Sequence, residues 1–183
     1  MRNLRLLLPC LGLVALTATG CFIASGQIFV HFDLPTPFSI VGADGADREF
    51  VDLNTIHDYA KHKDKLKDVS DLAVVGRFTN QGGPGGTVSV YITPGSTSLS
   101  GAANVVAGAT RLWGPASIGA TGSVVNIGWN ESAKLFDPAG KQVLIDAAKG
   151  DGTFTIYTIG TPGVVNVIQV DNGGIILVIS AGP

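Results

Sequence analysis

The feature that most constrains this chain is the way its apolar residues alternate. Between residues 27 and 34, Ile28, Val30, Phe32 and Leu34 alternate with Phe29, His31 and Asp33, and Pro35 and Pro37 close the run. A period of two is the signature of a strand with one face buried. The pattern returns at Leu72, Val74, Gly76 and Phe78, at Val88, Val90 and Ile92, and at Val125, Ile127 and Trp129. Turn-forming stretches separate the runs, among them Gly82-Gly83-Pro84-Gly85-Gly86 and Pro94-Gly95. Short strands at this spacing predict an all-β fold with two antiparallel sheets packed face to face.

Composition agrees. Only 14% of residues are charged, against about 25% in a typical soluble domain, so a disordered chain is excluded. Gly reaches 25 residues, whereas Glu occurs only at Glu49 and Glu131. Turn and strand formers are favoured over strong helix formers. After residue 20 no run approaches the roughly 18–20 apolar residues of a spanning helix.

The remaining strands are expected over Glu49–Leu53, Thr110–Ile118, Thr153–Ile159, Val164–Val170 and Ile175–Ser180, about eight or nine in all. Pro115 places its strand at an edge or a bulge. Asp171-Asn172-Gly173-Gly174 reads as a hairpin turn. Ile175 to Ile179 is apolar on both faces, which predicts a central or covered strand. The clearest helix is Thr55 to Leu66, with Asn54 or Thr55 as cap, Asp58 in its first turn and lysines at its end. A shorter helix is expected over Gly140–Lys149, and 99–108 reads as a loop with at most one helical turn. Trp113 and Trp129 are expected in the core or at its rim.

The first 20 residues have a different organisation. Arg2 and Arg5 precede an apolar stretch containing Leu6, Leu7, Leu8, Leu11, Leu13, Val14, Ala15 and Leu16, and small residues follow. This is a secretory leader. The junction Ala18-Thr19-Gly20-Cys21 resembles the lipobox of bacterial lipoproteins, with Ala18 standing where Leu is commonest. The resemblance covers the leader alone. It implies cleavage between Gly20 and Cys21, transfer of diacylglycerol to the Cys21 thiol, and further acylation by chains such as palmitate. Thiolate is the strongest nucleophile available for such a transfer at neutral pH. Residues 21–26 would then be a short tether and 27–183 a single β-sandwich domain. Phe22 after the cysteine, rather than Asp, favours the outer membrane, facing the periplasm or the surface.

Loss of Arg2 and Arg5 takes the formal charge from −2 to −4, so no nucleic-acid partner is expected. Cys10 lies in the leader, and an acylated Cys21 leaves no thiol for a disulfide or a nucleophile. No cofactor is expected either. His57 and His62 lie five apart and diverge by about 140° on a helix, so they do not make a metal pair, and Asp58 adds only one ligand on the face of His62. His31 reads as a strand residue. Asp44, Asp47 and Glu49 match no calcium-loop spacing. Gly82–Gly86 precedes a strand and lacks the Lys and helix of a phosphate loop. Glu131 and Asp137 are not placed together by sequence. The one basic cluster, with Lys61, Lys63, Lys65 and Lys67, is a candidate for contact with lipid headgroups. These features lead us to expect a non-enzymatic envelope lipoprotein that binds or scaffolds a partner, protein or other envelope component. The alternatives are a carrier of an apolar ligand between the sheets and a glycan hydrolase using loop carboxylates.

Overall fold

The computed structural model describes residues 27–33, 38–41 and 45–181. The leader, Gly20, Cys21 and the tether lie outside them. Among the described residues, nine strands form two antiparallel sheets. The first sheet holds β1 (Gln27–Asp33), β2 (Phe38–Val41), β4 (Leu66–Gly82), β7 (Val124–Ile127) and β9 (Val167–Ala181). β1 and β2 lie end to end along the same side of β9, so they act as one interrupted edge strand. The second sheet runs β3-β8-β5-β6, with β3 (Ala46–Asp52), β5 (Gly86–Pro94), β6 (Thr110–Ile118) and β8 (Thr153–Ile159). The two-sheet sandwich expected from alternation is therefore present. β9 is central, flanked by β1/β2 and β4, as its two apolar faces require. β6 is the edge strand that Pro115 predicts. Residues 135–137 cover that edge, where Asp137 N–H donates to Leu112 O at 3.0 Å and Gly114 N–H to Leu135 O at 2.8 Å.

The core lies between the sheets. Leu72, Val74, Phe78, Ile168, Val170, Ile175 and Leu177 from the first meet Val88, Val90, Ile92, Leu112, Trp113, Phe154 and Ile156 from the second. Trp113 is fully buried and stacks on Phe78, with ring centroids 6.3 Å apart. Trp129 is half-buried, a rim residue.

Four short helices among the described residues close the sandwich. α1 (His57–His62) and α4 (Pro138–Lys149) sit at one pole, and α3 (Trp129–Ala133) lies against β4. α2 (Ala102–Gly108) packs Ala102 and Val105 on Tyr157 and Ile159, which project from the outer face of the second sheet. In α4 the Asp137 carboxylate caps Ala139 N–H at 3.0 Å, and Leu144, Ala147 and Ala148 turn inward.

Four expectations are corrected. The helix over 55–66 is only six residues long, flanked by 3-10 turns at Leu53–Thr55 and Lys63–Lys65. Leu66 already pairs with Ala181, so sheet pairing claims the end of that segment. Residues 171–174 do not reverse the chain. β9 passes straight through them, with Asn172 at φ +50° forming a bulge opposite Gly76. The stretch 99–108, read as a loop, holds the seven-residue helix α2, and Trp129 begins α3 rather than ending a strand.

The register defines two poles. The start of β1, the start of β4 and the end of β9 coincide, because Gln27 faces Ser180 and Leu66 faces Ala181. This pole carries α1 and is locked by hydrogen bonds. Tyr59, fully buried, donates its hydroxyl to Ala148 O at 2.7 Å. Asn54 Nδ2 donates to Asp52 Oδ1 at 2.7 Å and to Asp151 O at 2.9 Å. Thr153 N–H donates to Asp151 Oδ1, which holds that carboxyl below its ordinary range.

Burial, aided by the Asp151 and Asp52 carboxylates, pushes the Tyr59 phenol up to about 12. The phenol titrates near 10 when unfolded. Its contribution is complete below pH 10 and is lost as pH rises through 12. Urea titrations should show the wild type losing about 2 kcal/mol between pH 9 and 11.5 that Tyr59→Phe does not lose. Equal alkaline losses in both proteins would refute this account of the pole.

Candidate functional site

The opposite pole is built from turns. Residues 82–86 join β4 to β5, 119–123 join β6 to β7, and 160–166 join β8 to β9. These three segments hold eight of the chain's 25 glycines and no Asp, Glu, Lys or Arg. Their mutual contacts are therefore made by backbone, hydroxyl and carboxamide groups. Thr121 donates to Gly83 O from both N–H and Oγ1, at 3.1 and 2.9 Å. Thr87 N–H donates to Thr161 Oγ1 at 2.7 Å, and the two hydroxyls lie 2.9 Å apart.

Two buried asparagines lie at this pole, and they differ in one respect. Asn80 uses its whole carboxamide. Its Nδ2 donates to Pro84 O at 3.0 Å and Gly119 O at 2.8 Å, and its Oδ1 accepts from Gly82 N–H at 3.0 Å. Asn166 is 1% exposed, yet neither its Nδ2 nor its Oδ1 has a hydrogen-bond partner. Two glycines, Gly83 and Gly86, make room for it. A Cβ on Gly83 would lie 2.4 Å from Val165 O and 2.9 Å from the Asn166 Cα, and Gly83 has φ +99°. A Cβ on Gly86 would lie 2.7 Å from Asn166 Nδ2, and one on Gly160 would lie 3.6 Å from Asn166 Oδ1.

The Gly160 position also reaches Ile40 Cγ2 at 3.6 Å. Ile40 lines an open groove of about 180 Å³ between β2 and β3, together with Ser39, Gly45, Ala46 and Asp47. Asp47 is exposed and faces Thr158 across the β3–β8 ladder. The groove's lining carries one carboxylate, Asp47, and does not include Asn166. A buried polar group left unpaired costs about 1–3 kcal/mol, and such groups are rare enough in native folds to need a reason. The chemistry on offer is hydrogen-bond donation and acceptance.

Replacing Asn166 by Leu, of similar size, removes both orphaned atoms. Thermal unfolding of Asn166→Leu should therefore occur at an equal or higher temperature, with a gain of up to about 2 kcal/mol. A clear loss of stability would mean that the carboxamide is satisfied in solution.

The residues singled out by sequence are scattered. His31 and His57 are exposed and His62 is half-buried. Among the described residues no three His, Cys, Asp or Glu side chains gather as a metal site. Asp47 and Glu49 lie exposed on β3, while Asp44 falls outside the described residues. Asp137 is committed to capping α4 and to Arg111, at 2.9 Å, while Glu131 is exposed on α3. Lys61 is exposed on α1. Lys63 is held, donating from Nζ to Asn54 Oδ1 at 3.1 Å and to Asp151 O at 3.0 Å. Lys65 and Lys67 take their places at the same pole, in the second 3-10 turn and at the start of β4, and their side chains lie outside the description.

Sequence reading passed over Asn80 and Asn166. Each sits near glycines and prolines, where an Asn reads as turn chemistry, and only burial sets Asn166 apart. Comparison with known proteins gives no match to a family model or to a curated sequence.

Proposed function

We propose that this chain is a lipid-anchored, non-enzymatic binding or scaffolding module of the bacterial cell envelope. The lipobox-like junction Ala18-Thr19-Gly20-Cys21 supplies the anchor. The observation that carries the reading is the position of β1. Gln27, the first described residue, is six positions beyond Cys21 and starts an edge strand at the helical pole. A lipid on Cys21 would thus hold the helical pole near the bilayer and leave the uncharged glycine pole free to meet a partner. Two or three acyl chains, at about 0.8 kcal/mol per buried CH₂, anchor durably where one does not.

Mass spectrometry of the protein from membranes of a bacterial host tests this. A diacylglyceryl adduct on Cys21 and a chain beginning at that residue are expected, together with incorporation of an alkyne-tagged palmitate. Cys21→Ser should abolish the label and move the protein to the soluble fraction. An unmodified thiol on protein recovered from the medium would refute the proposal.

A further inference from the structure

On the lipid-anchor reading, we propose that the helical pole recognises an anionic lipid surface through the Lys61–Lys67 segment. Three observations carry it. The first is reach. Gln27 lies six positions beyond Cys21, so the tether spans at most about 20 Å. The second is register. Gln27 and Leu66 pair with adjacent residues at the end of β9, Ser180 and Ala181, from its two sides. Strands lie about 4.8 Å apart, which puts Leu66 within roughly 10 Å of the tether's attachment point. Lys65 and Lys67 flank Leu66 in sequence, and α1, which carries Lys61, packs against β1. Any lipid on Cys21 therefore brings this segment to the headgroups.

The third observation is charge. Residues 61–67 hold four of the chain's seven lysines against one acidic residue, Asp64. Asp58 and Asp68 flank the segment, and Lys63 is tied to Asn54 and Asp151. The attraction is accordingly moderate, and the tether makes it effective by confining the lysines to the surface. A Lys near an anionic membrane is worth roughly fivefold in surface affinity. The glycine-pole turns 82–86, 119–123 and 160–166 hold no charged residue, so the preference fixes which end faces the bilayer.

The core is built from residues 40 to 179, so a chain beginning at Cys21 carries the whole fold. Its only thiol can be coupled to a maleimide phospholipid in vesicles of phosphatidylcholine alone, or of phosphatidylcholine mixed with phosphatidylglycerol. The native modification is then not required, and its absence would be seen separately by mass spectrometry. A membrane-impermeant amine reagent, read by peptide mass spectrometry, should label Lys61, Lys65 and Lys67 several-fold more slowly on the anionic vesicles. Molar salt, with a screening length of about 3 Å, should restore the rates. Lys134, after α3, should be labelled equally on both. Equal labelling of the three lysines on both vesicles, or slowing that salt leaves untouched, would overturn the proposal.

Discussion

Trp113→Ala should destabilise the protein by about 3–5 kcal/mol, the range for deleting a large aromatic side chain from a packed core. Trp113 is the largest fully buried side chain. It fills the space between β6 and β4, stacked on Phe78. Its Nε1 donates to Ser132 O at 3.2 Å, and Ser132 Oγ accepts from Val74 N–H at 2.7 Å. The indole thus links β6 to α3, and α3 to β4. Truncation leaves a cavity and also strips Ser132 O of a partner. Trp113→Phe retains most of the volume and loses the hydrogen bond, so its cost should be nearer 1–2 kcal/mol. Urea denaturation of the two variants checks both numbers. A Trp113→Ala cost below that of Trp113→Phe would show that the core collapses freely around the site.

Gly140→Ala should cost about 3 kcal/mol, at the upper end of overpacking penalties. Its helical position makes the result diagnostic. In an exposed helix, alanine in place of glycine stabilises by up to about 1 kcal/mol. Here a Cβ would lie 2.2 Å from Arg111 O and 2.4 Å from Leu112 Cα. Both are backbone atoms of β6, so no side chain can swing aside. Relief requires α4 to move away from the sheet, carrying Leu144 and Ala147 out of the core. The thermal midpoint should fall, and the mutant should share the wild-type slope with denaturant if the fold is kept. A neutral or stabilising result would mean that α4 sits farther from β6 than described.

Where local pattern and tertiary pairing agree, the sequence was legible. Alternation located the strands around Val30, Val74 and Val90, and the double-faced apolar run at Ile175–Ile179 identified the central strand. Where they compete, pairing prevails. Asp171-Asn172-Gly173-Gly174 has the residues for positive φ that a reversal needs, and Asn172 does adopt φ +50°. β4 continues beside it for 17 residues, and pairing along that length turns the same conformation into a bulge. Likewise, lysines at 63–67 suit the end of a helix, yet Leu66 finds a strand partner in Ala181.

By itself the sequence determined the class of fold, because strand periodicity is written in neighbouring residues. Only the tertiary structure decided that Asn80 is satisfied while Asn166 is not, and that Lys61–Lys67 stands beside the start of β1. Burial and cross-strand register depend on segments far apart in the chain, here residues 27, 66 and 181 at one pole and 40, 83 and 166 at the other. No local pattern encodes which distant turn closes over a side chain.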